Sequence, residues 1–285
     1  MENRKKQSKL EQAQSNLSFL LEKAMGHIRL GALPRTRKWS QVVGLIENGA
    51  GTAQVANATI SAAERGLDLA SNDKGLVGTV WLLTQLPLAA KSGDFAESLR
   101  KCGLNVSNDP NLMEIVGAVS DAIDNSLSNN RGRTDLGEMA QMSAAETITG
   151  VIGSRTQNLF GTTPGDVQRA FAKLATVKQF SIFAKDFFAR LTNRCLDFFL
   201  SRALSYHLGE GRRFTTLAQQ AEFSMAMETH CKEASHIVEK FSGEWFSKTN
   251  WEHKGISRKD AAGFTHVAMQ KVIAELKEGA RSDAK

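Results

Sequence analysis

The chain has 285 residues, 41% hydrophobic and 23% charged, which excludes a disordered segment and leaves room for one large domain or two smaller ones. Its formal charge of +6 is uneven: residues 1–38 hold nine Lys/Arg against three Asp/Glu, residues 39–160 eight against thirteen, and residues 161–285 nineteen against fourteen. With four prolines, one tyrosine and abundant Ala, Leu, Glu, Lys and Gln, the composition predicts an all-α protein, a multi-helix bundle with room for two helical subdomains.

In chain order, Leu10, Leu17, Leu20, Leu21, Ala24, Met25 and Ile28 recur at helical spacing and predict a first helix from Ser8 to Arg29. Gly31 and Pro34 stop it, and Arg35, Arg37 and Lys38 crowd the connection as a candidate basic contact for nucleic acid or an acidic partner. "LSFLL" is too short for a signal-peptide core and runs at once into Glu22 and Lys23. A short helix follows on Trp39, Val42, Val43 and Ile46. "GAGT" at 49–52 lacks the preceding strand and the lysine of a phosphate loop, so Thr52 reads as the cap of a helix to Arg65 that Gly66 ends.

"GLDLASNDKGLV" from Gly66 and "GLNVSNDPNLM" from Gly103 echo each other, either as a helical-hairpin repeat or as shared cap chemistry. Asp73 to Leu86 predicts an interior helix that Pro87 breaks or kinks. Asp94 caps a helix ending at Cys102 and Gly103, and Asp109 and Pro110 start another to Leu127. The polar "SNNRGR" at 128–133 predicts a flexible joint.

Thr134 to Leu159 predicts the next helix, Thr163 and Pro164 cap another, and a long helix runs from Val177 to Leu208. Its phenylalanines at 180, 183, 187, 188, 198 and 199 place it at the centre of a bundle. Lys185, Asp186, Arg190, Arg194 and Asp197 interrupt this stretch, which a membrane span would rarely tolerate. The last two helices are predicted over Thr215–Phe241 and from the Ser257–Asp260 capping box to Lys277. The resulting division is a basic N-terminal helix and connection over 1–38, an acidic helical subdomain over 39–128 and a phenylalanine-rich bundle over 134–278.

Three stretches suggest chemistry. In "HCKEASHIVEKF", from His230, the seam Phe223, Met227, His230, Ala234, Ile237 and Phe241 predicts a buried histidine with its ring N–H satisfied and a surface pair of Glu233 with His236. "EASH" matches one Glu-x-x-His element of a di-iron bundle, but no second copy exists, and His230, Cys231 and His236 lack zinc spacing, so no metal and no cofactor is expected.

"RALSYH" sets Arg202 and His207 on one predicted helix. This resembles the R-x(4–6)-H motif of HEPN-type ribonucleases, although Ala203 stands where that family tends to have a polar residue. The resemblance implies an all-helical, metal-independent enzyme, usually completed by dimerisation. In it His207 would transfer protons at the RNA 2′-hydroxyl and Arg202 would hold the phosphate.

The third stretch, "GEWFSKTNWEHKGISRK" at 243–259, predicts a loop. It alternates Trp245, Phe246 and Trp251 with Lys248, Lys254, Arg258 and Lys259, residues that stack on bases and hold phosphates or anchor a protein interface.

Three free cysteines without a CxxC predict reduced thiols in a cytoplasmic protein. The leading functional expectation is a non-catalytic helical interaction protein, a subunit of a larger assembly with a protein partner, no membrane, and room for homo-oligomerisation. The alternatives are a nucleic-acid-binding module that uses the basic ends and the Trp/Lys loop, and the HEPN-like ribonuclease.

Overall fold

In a computed structural model, residues 37–70, 73–129, 134–156 and 163–282 are described. The predicted helix over Ser8–Arg29, Arg35, the Asn130–Arg133 end of the predicted joint and the 157–159 end of the next predicted helix lie outside them. The described residues form eleven helices and no strand: α1 Arg37–Glu47, α2 Thr52–Ala70, α3 Lys74–Ala90, α4 Phe95–Lys101, α5 Leu112–Asn129, α6 Asp135–Thr156, α7 Pro164–Leu174, α8 Val177–Tyr206, α9 Leu217–Ala234, α10 His236–His253 and α11 Arg258–Ser282. An isolated bridge joins Leu208 to Phe214 in the loop between α8 and α9.

The 30-residue α8 is the organising element, about 45 Å long at ~1.5 Å per residue. It packs most extensively on α10, then on α9 and α6, and touches α2, α7 and α11. Phe180, Phe183, Phe187, Phe188 and Phe199 on it are all buried. Phe180 stacks on Phe246 of α10 at 4.1 Å, and Phe188 meets Phe264 of α11 edge-on at 5.9 Å. The helices α8 and α10 approach closely at Gly243, whose backbone N–H donates to Ser181 Oγ at 3.1 Å.

The helix α3 is a second hub, set against α4, α5, α6, α7 and α11, and it is buried on nearly every side as its sequence predicts. Among the described residues, the buried apolar side chains of 39–128 and of 134–278 belong to one hydrophobic cluster. Arg213 ties the α8–α9 loop to α1. Its Nη1 and Nη2 donate to the carbonyls of Ile46 and Ala50 at 3.1 and 2.6 Å, while its guanidinium lies over Phe214 and Phe223.

Several predicted boundaries move, each for a local reason. Gly66 does not end α2, which runs on to Ala70, whereas Gly103 does follow α4 in the left-handed region at φ 88°. The two halves of the sequence echo therefore hold different backbone roles at their first glycine. Pro87 does not break α3: it stands in the last turn, where its missing N–H costs one bond, and the helix continues to Ala90. Asn111 rather than Asp109 starts α5, its side chain accepting from the Glu114 N–H at 2.9 Å.

The predicted Thr215–Phe241 helix is two helices, α9 and α10, separated at Ser235. Ser235 is fully buried, its hydroxyl donates to the Cys231 carbonyl at 2.8 Å, and the Val238 N–H bonds to Ser235 O with one residue fewer than an α-turn. The chain then stays helical through 243–253, where a loop is predicted.

Four predicted caps hold, that of Ser257 on α11 among them. The Leu76 N–H donates to Asp73 and the Glu97 N–H to Asp94, both at 2.8 Å, and Thr163 with Asp166 forms a full capping box on α7. No helix among the described residues is long and apolar enough to cross a membrane.

Candidate functional site

The 243–259 stretch is the last three turns of α10 and the turn into α11. Val238, Ser242, Gly243, Phe246 and Thr249 face inward at helical spacing. Phe246 is 2% exposed and serves the core rather than a surface. Trp245 is half-buried and stacks on Phe264 with centroids 4.1 Å apart. Trp251 points the other way and is 85% exposed.

The turn is built to hold this face in place. Lys254 ends α10 in the left-handed region at φ 52°, and its N–H and that of Gly255 both return to Asn250 O. Ser257 and Asp260 form a capping box for α11, and His253 Nδ1 lies 3.1 Å from Asp260 Oδ1. The Ser257 hydroxyl and backbone N–H hold the Asp260 carboxyl below the usual carboxylate range, with His253 adding a smaller push the same way. On the other side of the turn, Trp81 of α3 donates its indole N–H to Ile256 O at 3.0 Å, and the Arg258 guanidinium lies over the Trp81 ring at 4.2 Å.

The charge on this face is a small net positive. Over 243–259, Lys248, Lys254, Arg258 and Lys259 stand against Glu244 and Glu252, and Asp260 follows at once. Lys248 pairs loosely with Glu252 at 3.9 Å, while Lys254 and Lys259 project into solvent. Of the other predicted basic contact, Arg37 and Lys38 are described. Arg37 is exposed at the start of α1, and Lys38 Nζ donates to Ser61 O on α2 at 3.1 Å.

Arg202 lies in the last turns of α8. His207 caps that helix, 6% exposed, with its N–H bonded to Leu204 O and its carbonyl accepting from the Phe214 N–H, both at 3.0 Å. Such burial leaves little of the ring for an RNA 2′-hydroxyl to reach.

His230 is not in the seam of α9. The buried residues there are Phe223, Met227, Cys231 and Ala234, so the buried stripe steps by four residues from Met227 to Cys231. His230 Nε2 is buried with no hydrogen-bond partner, where a satisfied ring N–H was expected. His236 pairs with Glu239 at 3.1 Å rather than with Glu233, and Glu239 also meets Lys185 Nζ at 2.5 Å. The Lys185 ammonium is the main cause that holds Glu239 below the carboxylate range.

Burial pushes the Cys195 and Cys231 thiols up to about 12, which makes them poor nucleophiles. Among the described residues no group of three His, Cys, Asp or Glu is placed to hold a metal ion.

Sequence reading does not find two further features. A polar cleft of about 260 Å³ between α6, α8 and α9 is lined by Glu146, Asp186, Arg190, Arg194, Asp197 and Lys232 among others. Within it Arg190 bridges Asp186 at 2.7 Å and Glu146 at 3.2 Å, Arg194 also pairs with Glu146, and Thr147 Oγ1 donates to Asp186 at 2.9 Å. The i, i+4 spacing of Asp186, Arg190 and Arg194 was the available signal. The second feature is a small cavity where α3, α5 and the start of α11 meet. Comparison of the chain with protein families, curated proteins and solved structures finds no match in any of the three.

Proposed function

We propose that the chain is a non-catalytic helical interaction protein, a subunit of a larger cytoplasmic assembly that binds a protein partner through the outer face of α10 and the α10–α11 turn. One observation carries this reading: Trp251 is 85% exposed on a helix whose other large aromatics, Phe241, Trp245 and Phe246, are packed against α11 or α8. An indole held by a rigid helix, ringed by Lys248, Glu252 and Lys254, has the composition of an interface anchor with a polar rim.

Electrostatics favours this over nucleic-acid binding at this face. A phosphate backbone demands a strong excess of cations, and the four Lys/Arg of 243–259 stand among Glu244 and Glu252, with Asp260 next in the chain. A protein partner tolerates that balance.

The test is Trp251→Ala in the native host. Loss of a central tryptophan weakens an interface by about 2 kcal/mol or more, roughly 30-fold in affinity, so the variant should leave the high-mass fraction on size-exclusion chromatography. A Trp251→Ala chain that stays fully assembled, or a purified wild-type chain that binds RNA steeply with falling salt or cleaves it, would refute the proposal.

A further inference from the structure

The cavity between α3, α5 and α11 is a place for a small ligand, and its chemistry is one-sided. It has a volume of about 130 Å³ and is lined by Gly75, Gly78 and Leu82 of α3, Cys102 and Gly103 after α4, Ala122, Ile123, Asn125 and Ser126 of α5, and Arg258. No acidic side chain is among these residues. Among the described residues the Arg258 guanidinium has no carboxylate partner; it lies over the Trp81 ring at 4.2 Å. A ring face attracts the cation without using the donors in the plane of the guanidinium.

The space above Gly78 is flanked by polar atoms from two other helices. A methyl carbon added at Gly78 would lie 3.4 Å from Arg258 Nη1 and 4.0 Å from Ser126 Oγ. Asn125 also lines the cavity, and both it and Arg258 are exposed, which sets the cavity beside solvent. An enclosed volume of ~150 Å³ accepts a ligand the size of benzene, so phosphate or a short carboxylate fits.

We infer that this cavity binds a small oxyanion, with Arg258 supplying the charge and Asn125 and the Gly78 niche setting the size. The inference does not rest on the interaction reading of the Trp251 face.

The experiment is a thermal-shift and calorimetric titration of the full chain with inorganic phosphate and, separately, with acetate, each against chloride matched for ionic strength. The comparison chain is Arg258→Gln, an exposed substitution at the first residue of α11 that leaves the Ser257–Asp260 box in place. Saturable binding of phosphate, acetate or both by the wild type is expected, with a loss of about 10- to 100-fold in Arg258→Gln, the range for one charge-assisted hydrogen bond. Phosphate alone would assign a tetrahedral anion and acetate alone a carboxylate. Gly78→Val should block binding by either anion; if that variant fails to fold, Arg258→Gln decides the matter alone. No response beyond matched chloride, or an equal response in Arg258→Gln, overturns the inference.

Discussion

Replacing Gly243 by alanine sets two opposing effects against each other at one atom. In the middle of α10, alanine is favoured over glycine by about 1 kcal/mol of helix propensity. The added carbon, however, would stand 2.0 Å from Val177 O, 2.4 Å from Ser181 Oγ and 2.7 Å from Val177 C. A serine hydroxyl can rotate away, but the Val177 carbonyl is backbone in the first turn of α8, fixed by the helix behind it. Restoring contact distance requires α8 and α10 to separate by more than about 1 Å along their most extensive contact, and overpacking of this kind costs about 1–3 kcal/mol or more.

With a rigid obstacle the cost falls at the upper end, leaving a net loss of about 2 kcal/mol, or about 4–8 °C in Tm for a chain of this size. The matched controls are Gly117→Ala in α5 and Gly263→Ala in α11, both exposed glycines with nothing within 4 Å of the new carbon. There propensity acts alone and stability should rise by about 0.5–1 kcal/mol. Urea and thermal unfolding followed by circular dichroism read all three. A Gly243→Ala chain as stable as the wild type, or shifted like the controls, would mean that α8 and α10 do not approach as described.

The remaining expectations concern charge, thiols and the α10 cap. Thr163 hydrogen bonds, with a smaller contribution from Arg169, depress Asp166 from 3.8 to about 2; because the folded value lies below the unfolded one, its contribution is complete above about pH 4 and lost as pH falls toward 2. Urea midpoints of wild type and Asp166→Asn should therefore differ at neutral pH and converge in acid. A thiol reagent at pH 8 should leave Cys195 and Cys231 unlabelled until the chain unfolds, since both are buried and raised to about 12; labelling at native urea concentrations would contradict their placement. Lys254→Gly removes a side chain from the left-handed region at φ 52° and should raise stability by about 1 kcal/mol in thermal unfolding.

The helical class, the interior position of α3 and α8, and the caps at Asp73, Asp94, Thr163 and Ser257 are legible because each is written in local spacing. What was not legible depends on partners far away in the chain. Gly66 and Gly103 carry the same local sequence signal, yet one lies within a helix and the other ends one. Ser235 carries no breaker signal, and the turn there becomes visible only with the buried hydroxyl bonded to Cys231. The misplaced histidine lies upstream of that turn: from Met227 the buried stripe steps by four to Cys231, whereas a three-residue step assigns the place to His230. The Glu146–Asp186–Arg190–Arg194 network and the cavity at Arg258 each join segments separated by dozens of residues, which no linear spacing rule can bring together.

The position of Trp251 separates what holds the molecule together from what it offers to others. On α10 the inward positions are filled by Ser242, Gly243, Phe246 and Thr249, and they meet α8, whose phenylalanines and Gly243 contact set the packing. Trp251 lies on the opposite face beside Lys248 and Glu252, where a polar residue would serve the fold equally well. Truncating it removes no core contact, so stability should stay within about 0.5 kcal/mol, the range of an ordinary surface change. A loss of assembly in a chain that unfolds at the wild-type midpoint would then belong to the surface alone, whereas Gly243→Ala disturbs the scaffold beneath it.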